Sequence, residues 1–143
     1  MNKKTVILST SSSIVFLDQL SKFIIKKNFV VDESVPITNK IFHLTYVTNS
    51  GSAFGLFKGF NILFIIFSIF VIFIIPNLLK KIKNEQRVLQ VSVGLLLGGT
   101  IGNLVDRILY GFVVDFIDFR FWPVFNIADT AVTVSIICLI LLL

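Results

Sequence analysis

Asp115 and Asp129 stand in the phrases Gly111-Phe112-Val113-Val114-Asp115-Phe116 and Phe125-Asn126-Ile127-Ala128-Asp129-Thr130, each among aromatic and aliphatic neighbours. The chain has only eight carboxylates in 143 residues. Ionisable groups at the edge of hydrocarbon are costly, and their default reading is functional. Two carboxylates that share a site split their titration, one ionising while the other keeps its proton. Such a pair offers a general base for water and a general acid for a carbonyl oxygen, so it can activate water without a metal. The sequence leaves open which aspartate takes which role. The plain alternative is a pair of interfacial carboxylates solvated by water, and the apolar setting of both argues against it.

Other polar groups lie where they could support that pair. Asp18 and Lys22 are four residues apart, on one face of a helix, and can neutralise each other. Asn103, Asp106 and Arg107 crowd the polar end of an otherwise apolar stretch, where they either hold a polar site open or snorkel to the interface. Gly94, Gly98 and Gly102 repeat every fourth residue in that stretch, a spacing that lets helices approach closely in lipid and reads as packing. Alternative nucleophiles fare worse. Ser21 and Lys22 are helix neighbours and diverge, Ser50 and Ser52 have no partner base, and His43 reads as a strand residue. With one histidine, one cysteine (Cys138, in the last apolar run) and no H-E-x-x-H phrase, no metal site and no cofactor are expected.

Positioning these groups falls to membrane helices. The chain is 55% hydrophobic with 16 phenylalanines, and its mean hydropathy is +0.93, values of the membrane class. Four stretches are long enough to cross a bilayer, which takes ~20 residues as helix: about 5–25, 60–79, 88–109 and 124–143. The first follows Lys3 and Lys4 and mimics a secretory signal. Asp18 and Lys22 within it, and the lack of a clear A-x-A site, mark it instead as a retained helix. The net charge of +5 gathers at segment ends as a topology signal, which excludes nucleic acid as a partner. Lys3 and Lys4, and the Lys80, Lys81, Lys83 and Arg87 cluster, place both termini in the cytoplasm. Segments 26–59 and 110–123 then lie outside, and Asp115 and Asp129 meet near the outer face. Residues 41–48 mix β-branched and aromatic types before the turn at Asn49-Ser50-Gly51-Ser52, which predicts a short strand pair or small sheet. Phe42, Leu44 and Tyr46 would share one of its faces. Tyr110 and Trp122 suit interfacial anchors.

Taken in order, five phrases resemble the bacterial lipoprotein signal peptidase (signal peptidase II) family: Asp18-Gln19-Leu20-Ser21-Lys22, Thr48-Asn49-Ser50-Gly51-Ser52-Ala53-Phe54-Gly55, Gly98 to Arg107, Gly111 to Phe116, and Phe125 to Asp129. The resemblance spans essentially the whole chain. It implies a single membrane-embedded peptidase domain of the bacterial cytoplasmic membrane. The fold would be an all-α integral membrane protein of four transmembrane helices with a small extracytoplasmic β-rich cradle. It implies an aspartic endopeptidase that cuts before the lipidated cysteine of diacylglyceryl prolipoproteins. Its catalytic pair would be Asp115 and Asp129, supported by Asp18, Lys22, Asn49, Gly51, Gly102, Asn103, Asp106, Arg107, Asn126 and Ala128. Membrane lipid and globomycin-type inhibitors are the further expected partners, and a monomer the expected state. Ser52 replaces a usual alanine, Thr130 stands where serine is common, and the polar tail of many members is missing after Leu143.

Rival readings explain less. A proton or cation transporter needs polar groups through the membrane, and the second span has only Ser68 at depth. A scaffold packing through glycines leaves the two aspartate phrases unexplained. A presenilin-type protease would carry a Gly-x-Gly-Asp phrase, which is absent.

Overall fold

A computed structural model describes residues 2–51 and 60–142. The order is α1 (Lys3–Asn28), β1 (Ser34–Thr38), β2 (Phe42–Asn49), α2 (Asn61–Lys81), α3 (Arg87–Tyr110), β3 (Val113–Asp118) and α4 (Ile127–Leu142). The central helix is α3, against which α1 and α4 pack closely and α2 more lightly.

Small residues make that packing possible. A Cβ on Gly94 would lie 2.6 Å from the Thr10 Cβ, and one on Gly98 would lie 2.8 Å from the Ile14 Cβ, so α1 seats directly on the α3 backbone. The buried side of α1, Ile7, Ser11, Asp18, Lys22 and Ile25, is a stripe at helical spacing. By contrast, α2 buries little beyond Ser68 and Ile75 and exposes Phe67, Phe70 and Phe73. Among the described residues, α2 and α3 are long and apolar enough to cross a membrane. The longer α1 carries buried charge and a serine and threonine run, while α4 is apolar but has 16 described residues.

Two apolar clusters bracket a polar middle. Ile7, Ile75, Ile82, Leu89 and Val93 close one end. There the Lys3 Nζ donates to the carbonyls of Leu79 and Ile82, both at 2.9 Å, and caps the free end of α2. This gathers Lys3, Lys80 and Lys81 at one end of the bundle. Ile25, Tyr46, Val114 and Phe116 close the other end beneath the sheet.

The expected small sheet is present, with three antiparallel strands in the order β1-β2-β3. Segment 110–123, read from sequence as a plain connector, contains the third strand. Gly111 is the reason the chain can enter it. Its φ of 78° ends α3 in the left-handed region, with its N–H donating to the Arg107 carbonyl at 3.1 Å. Pairing of β2 with β3 sets Asn49 opposite Val113 and Val47 opposite Asp115. An irregularity between Leu44 and Val47 breaks the expected alternation, so Thr45 and Tyr46 are both buried. Residues 52–59, including the rest of the second phrase from Ser52 to Gly55, lie outside the described residues.

Candidate active site

The α4 helix begins with a reciprocal cap. The Asn126 side-chain oxygen accepts the Asp129 N–H at 2.8 Å, and the Asp129 carboxylate accepts the Asn126 N–H at 3.3 Å. This is the capping-box arrangement, which satisfies two otherwise orphaned helix donors. It fixes Asp129 in the first turn of α4, half-buried.

The same asparagine reaches the other aspartate. The Asn126 Nδ2 lies 2.7 Å from Asp115 Oδ1 and 3.1 Å from Asn103 Oδ1. Asn103 Nδ2 in turn donates to Asp129 Oδ1 at 2.7 Å. A continuous chain therefore runs Asp115, Asn126, Asn103, Asp129, joining β3, α3 and α4. Asn49, at the end of β2, donates to Asp115 Oδ2 at 3.0 Å, while its own oxygen accepts the Gly51 N–H at 3.0 Å. Asp115 is buried at 2% exposure. Burial and then the charge of Asp129 push its carboxyl up to about 7, against the bonds from Asn49 and Asn126 and the charge of Lys22.

A second polar cluster stands behind the first. Lys22 Nζ lies 2.8 Å from Asp18 Oδ2, 3.0 Å from Asp106 Oδ2 and 3.0 Å from Asn103 Oδ1. All three charged groups are almost wholly buried. Asp18 Oδ1 accepts the Ala128 N–H at 3.0 Å, at the positive end of α4. Asp106 Oδ2 accepts the Val114 N–H at 3.0 Å, beside Asp115 in the chain. The cluster thus anchors both segments that carry the paired aspartates. Gly102 leaves room for it, since a Cβ there would lie 2.6 Å from Asp18 Oδ2.

Among the sequence-predicted site residues, Asp18, Lys22, Asn49, Gly102, Asn103, Asp106, Asn126 and Ala128 all join these two clusters, and Gly51 joins through Asn49. Arg107 stands apart: its guanidinium lies 5.0 Å from the Phe64 ring centre and holds no ion pair among the described residues. One member was missed. Gln19 Nε2 sits within 3.2 Å of Asp18 Oδ2, 3.1 Å of the Gly102 carbonyl and 3.0 Å of Asp106 Oδ1, tying the buried carboxylates together. Its place between Asp18 and Lys22 was the available signal.

Asp115 and Asp129 face one cavity of about 850 Å³. Asn49, Asn103 and Arg107 line its polar end, and Phe67, Val71 and Ile74 of α2 and Val132 and Ile136 of α4 line its long apolar part. No cluster of metal-ligating side chains occurs among the described residues.

The family model for signal peptidase (SPase) II matches residues 10–143. The lipoprotein signal peptidase of Moorella thermoacetica is 45% identical over 126 residues, covering 88% of this chain and 84% of that one. That of Halothermothrix orenii is 45% identical over 130 residues, covering 91% and 89%. A solved bacterial membrane enzyme, obtained by the in meso method at 2.3 Å resolution, superposes with a TM-score of 0.89 at 32% identity, covering 99% of this chain and 90% of that one. The chain belongs to the signal peptidase II family and is a membrane peptidase.

Proposed function

We propose that this chain removes signal peptides from diacylglyceryl prolipoproteins, cutting before the lipidated cysteine by an aspartic mechanism at Asp115 and Asp129. The observation that carries this is the hydrogen-bonded chain from Asp115 through Asn126 and Asn103 to Asp129, opening onto a cavity whose far part is apolar. All four helices cross the membrane as one domain, with both termini cytoplasmic and the sheet at the outer face. The basic residues gathered at the end opposite the sheet support that orientation.

The apolar signal segment enters from lipid between α2 and α4 and lies along Val71, Ile74 and Val132. Arg107 and Asn49 hold carbonyl oxygens of the peptide or of its lipid. Asp115, whose carboxyl is raised to about 7, is the acid. Asp129 takes a proton from water as that water attacks the scissile carbonyl carbon, and Asp115 protonates the carbonyl oxygen. As the C–N bond breaks, Asp129 returns its proton to the leaving amine and Asp115 recovers its own from the diol. Positioned acid–base groups of this kind contribute ~10²–10⁴-fold.

The purified chain incubated with a diacylglyceryl prolipoprotein should give a product whose new N-terminus is the lipidated cysteine, read by mass spectrometry. Globomycin should block it competitively. A cut elsewhere, or none, would remove this function.

A further inference from the structure

A third polar assembly lies on the sheet, at the end of β3 that follows Asp115. Asp118 Oδ2 accepts from Thr45 Oγ1 at 2.7 Å and from Arg120 Nη1 at 3.0 Å, and Asp118 Oδ1 accepts the Arg120 N–H at 2.8 Å. Burial opposes ionisation, but these bonds and the Arg120 charge prevail and hold the carboxyl below the usual range. An ionised Asp118 only accepts, so the one Thr45 proton is spent on it. Thr45 then accepts from Ser34 Oγ at 2.8 Å, and Ser34 accepts from His43 Nδ1 at 3.1 Å. This directed chain locks His43 and Arg120 into the wall of one hollow.

That hollow is lined by Pro36, Asn39, Lys40, His43 and Arg120. Both cations sit on left-handed backbone, Lys40 with φ 70° and Arg120 with φ 65°, a conformation L residues rarely adopt. Lys40 has no ion-pair partner among the described residues, and Arg120 has one nitrogen on Asp118. The local balance of Lys40, Arg120 and Asp118 is positive. Ile37 follows Pro36 in β1, Ile41 follows Lys40, and Phe121 follows Arg120, and all three are exposed. Ring contacts from Phe42 to Phe119 at 5.3 Å and from Phe119 to Phe121 at 6.1 Å join the two loops. Cations set among exposed apolar side chains are the chemistry of an interfacial lipid site.

We infer that this hollow binds the phosphodiester headgroup of an anionic phospholipid. Lys40 and Arg120 pair with the phosphate, and Ile37, Ile41 and Phe121 enter the acyl boundary. Because β3 carries both Asp118 and Asp115, the bound lipid sets the depth of the cleavage site. The inference rests on the outer-face placement proposed above but not on the chemistry at the aspartates.

Trp122 is the only tryptophan in the chain and stands two residues from Arg120. Trp122 also lines the cavity of the paired aspartates, so its fluorescence in dodecyl maltoside micelles, titrated with dioleoyl-phosphatidylglycerol or dioleoyl-phosphatidylcholine, is read against the Lys40→Gln protein, whose substitution lies in the hollow and outside that cavity. The expected result is tighter binding of the anionic lipid, weakened about fivefold by Lys40→Gln and again by Arg120→Gln. The Lys40 side chain holds no ion pair among the described residues, so Lys40→Gln should leave the fold intact, checked by circular dichroism. Equal binding of the two lipids, or a Lys40→Gln protein that binds as wild type, would overturn the inference. Displacement of the lipid by millimolar glycerol phosphate would overturn it in favour of a soluble phosphate site. Failure here leaves prolipoprotein cleavage untouched, so the two readings fail separately.

Discussion

Asn103 and Asn126 meet across α3 and α4, with Asn126 Nδ2 3.1 Å from Asn103 Oδ1, and each holds a different aspartate. Neither residue ionises, yet together they set the relation between Asp115 and Asp129. Asn126 also caps α4, so helix geometry and site geometry share one side chain.

Those two tasks can be separated. Asn126→Ala should lower kcat about 10²-fold through misplacement of the pair and cost about 1 kcal/mol of stability through the lost cap. Asn126→Ser keeps a capping oxygen but cannot bridge to Asp115. It should recover part of the melting temperature and none of the turnover. Recovery of both would mean that Asn126 acts only as a cap.

Asp115 gives the reaction a pH signature. As the acid it must be protonated, and its carboxyl stands at about 7, so kcat/KM should fall as pH rises through that value. Removing the neighbouring charge with Asp129→Asn should move the Asp115 titration downward, read as a carboxyl carbon shift by NMR. Stability follows the same proton. The folded chain holds it more tightly than the unfolded chain, whose value is near 3.8. This contribution is therefore full below about 4 and is lost as pH rises through about 7. Melting temperature measured across that window should decline, and a flat profile would contradict the placement of Asp115.

Lys22 is the counter-ion of two buried carboxylates. Lys22→Met leaves Asp18 and Asp106 without it, and a broken buried pair costs about 3–5 kcal/mol. The expected outcome is a large loss of melting temperature alongside any loss of activity. A Lys22→Met protein that melts as wild type but does not turn over would make Lys22 a direct participant in the chemistry.

Much of this arrangement could be read from the sequence because apolar length, glycine spacing and lysine clusters act locally. The α2 and α3 helices begin and end within two residues of the expected 60–79 and 88–109. Asp18 and Lys22 pair as their four-residue spacing suggests. The strand through Asp115 was not legible. Val113-Val114-Asp115-Phe116 is buried on both sides, and without alternation it reads as a connector until β2 is placed beside it. Gln19 was missed for a related reason: its three partners come from α1 and α3, and only the close seating allowed by Gly98 and Gly102 brings them together.

The central claim is that Asp115 and Asp129 perform the cleavage, and single-turnover rates on a diacylglyceryl prolipoprotein test it most directly. Asp115→Asn and Asp129→Asn should each lose at least ~10²-fold while keeping the wild-type circular dichroism and elution volume. A folded variant of either position that cleaves at the wild-type rate would contradict it.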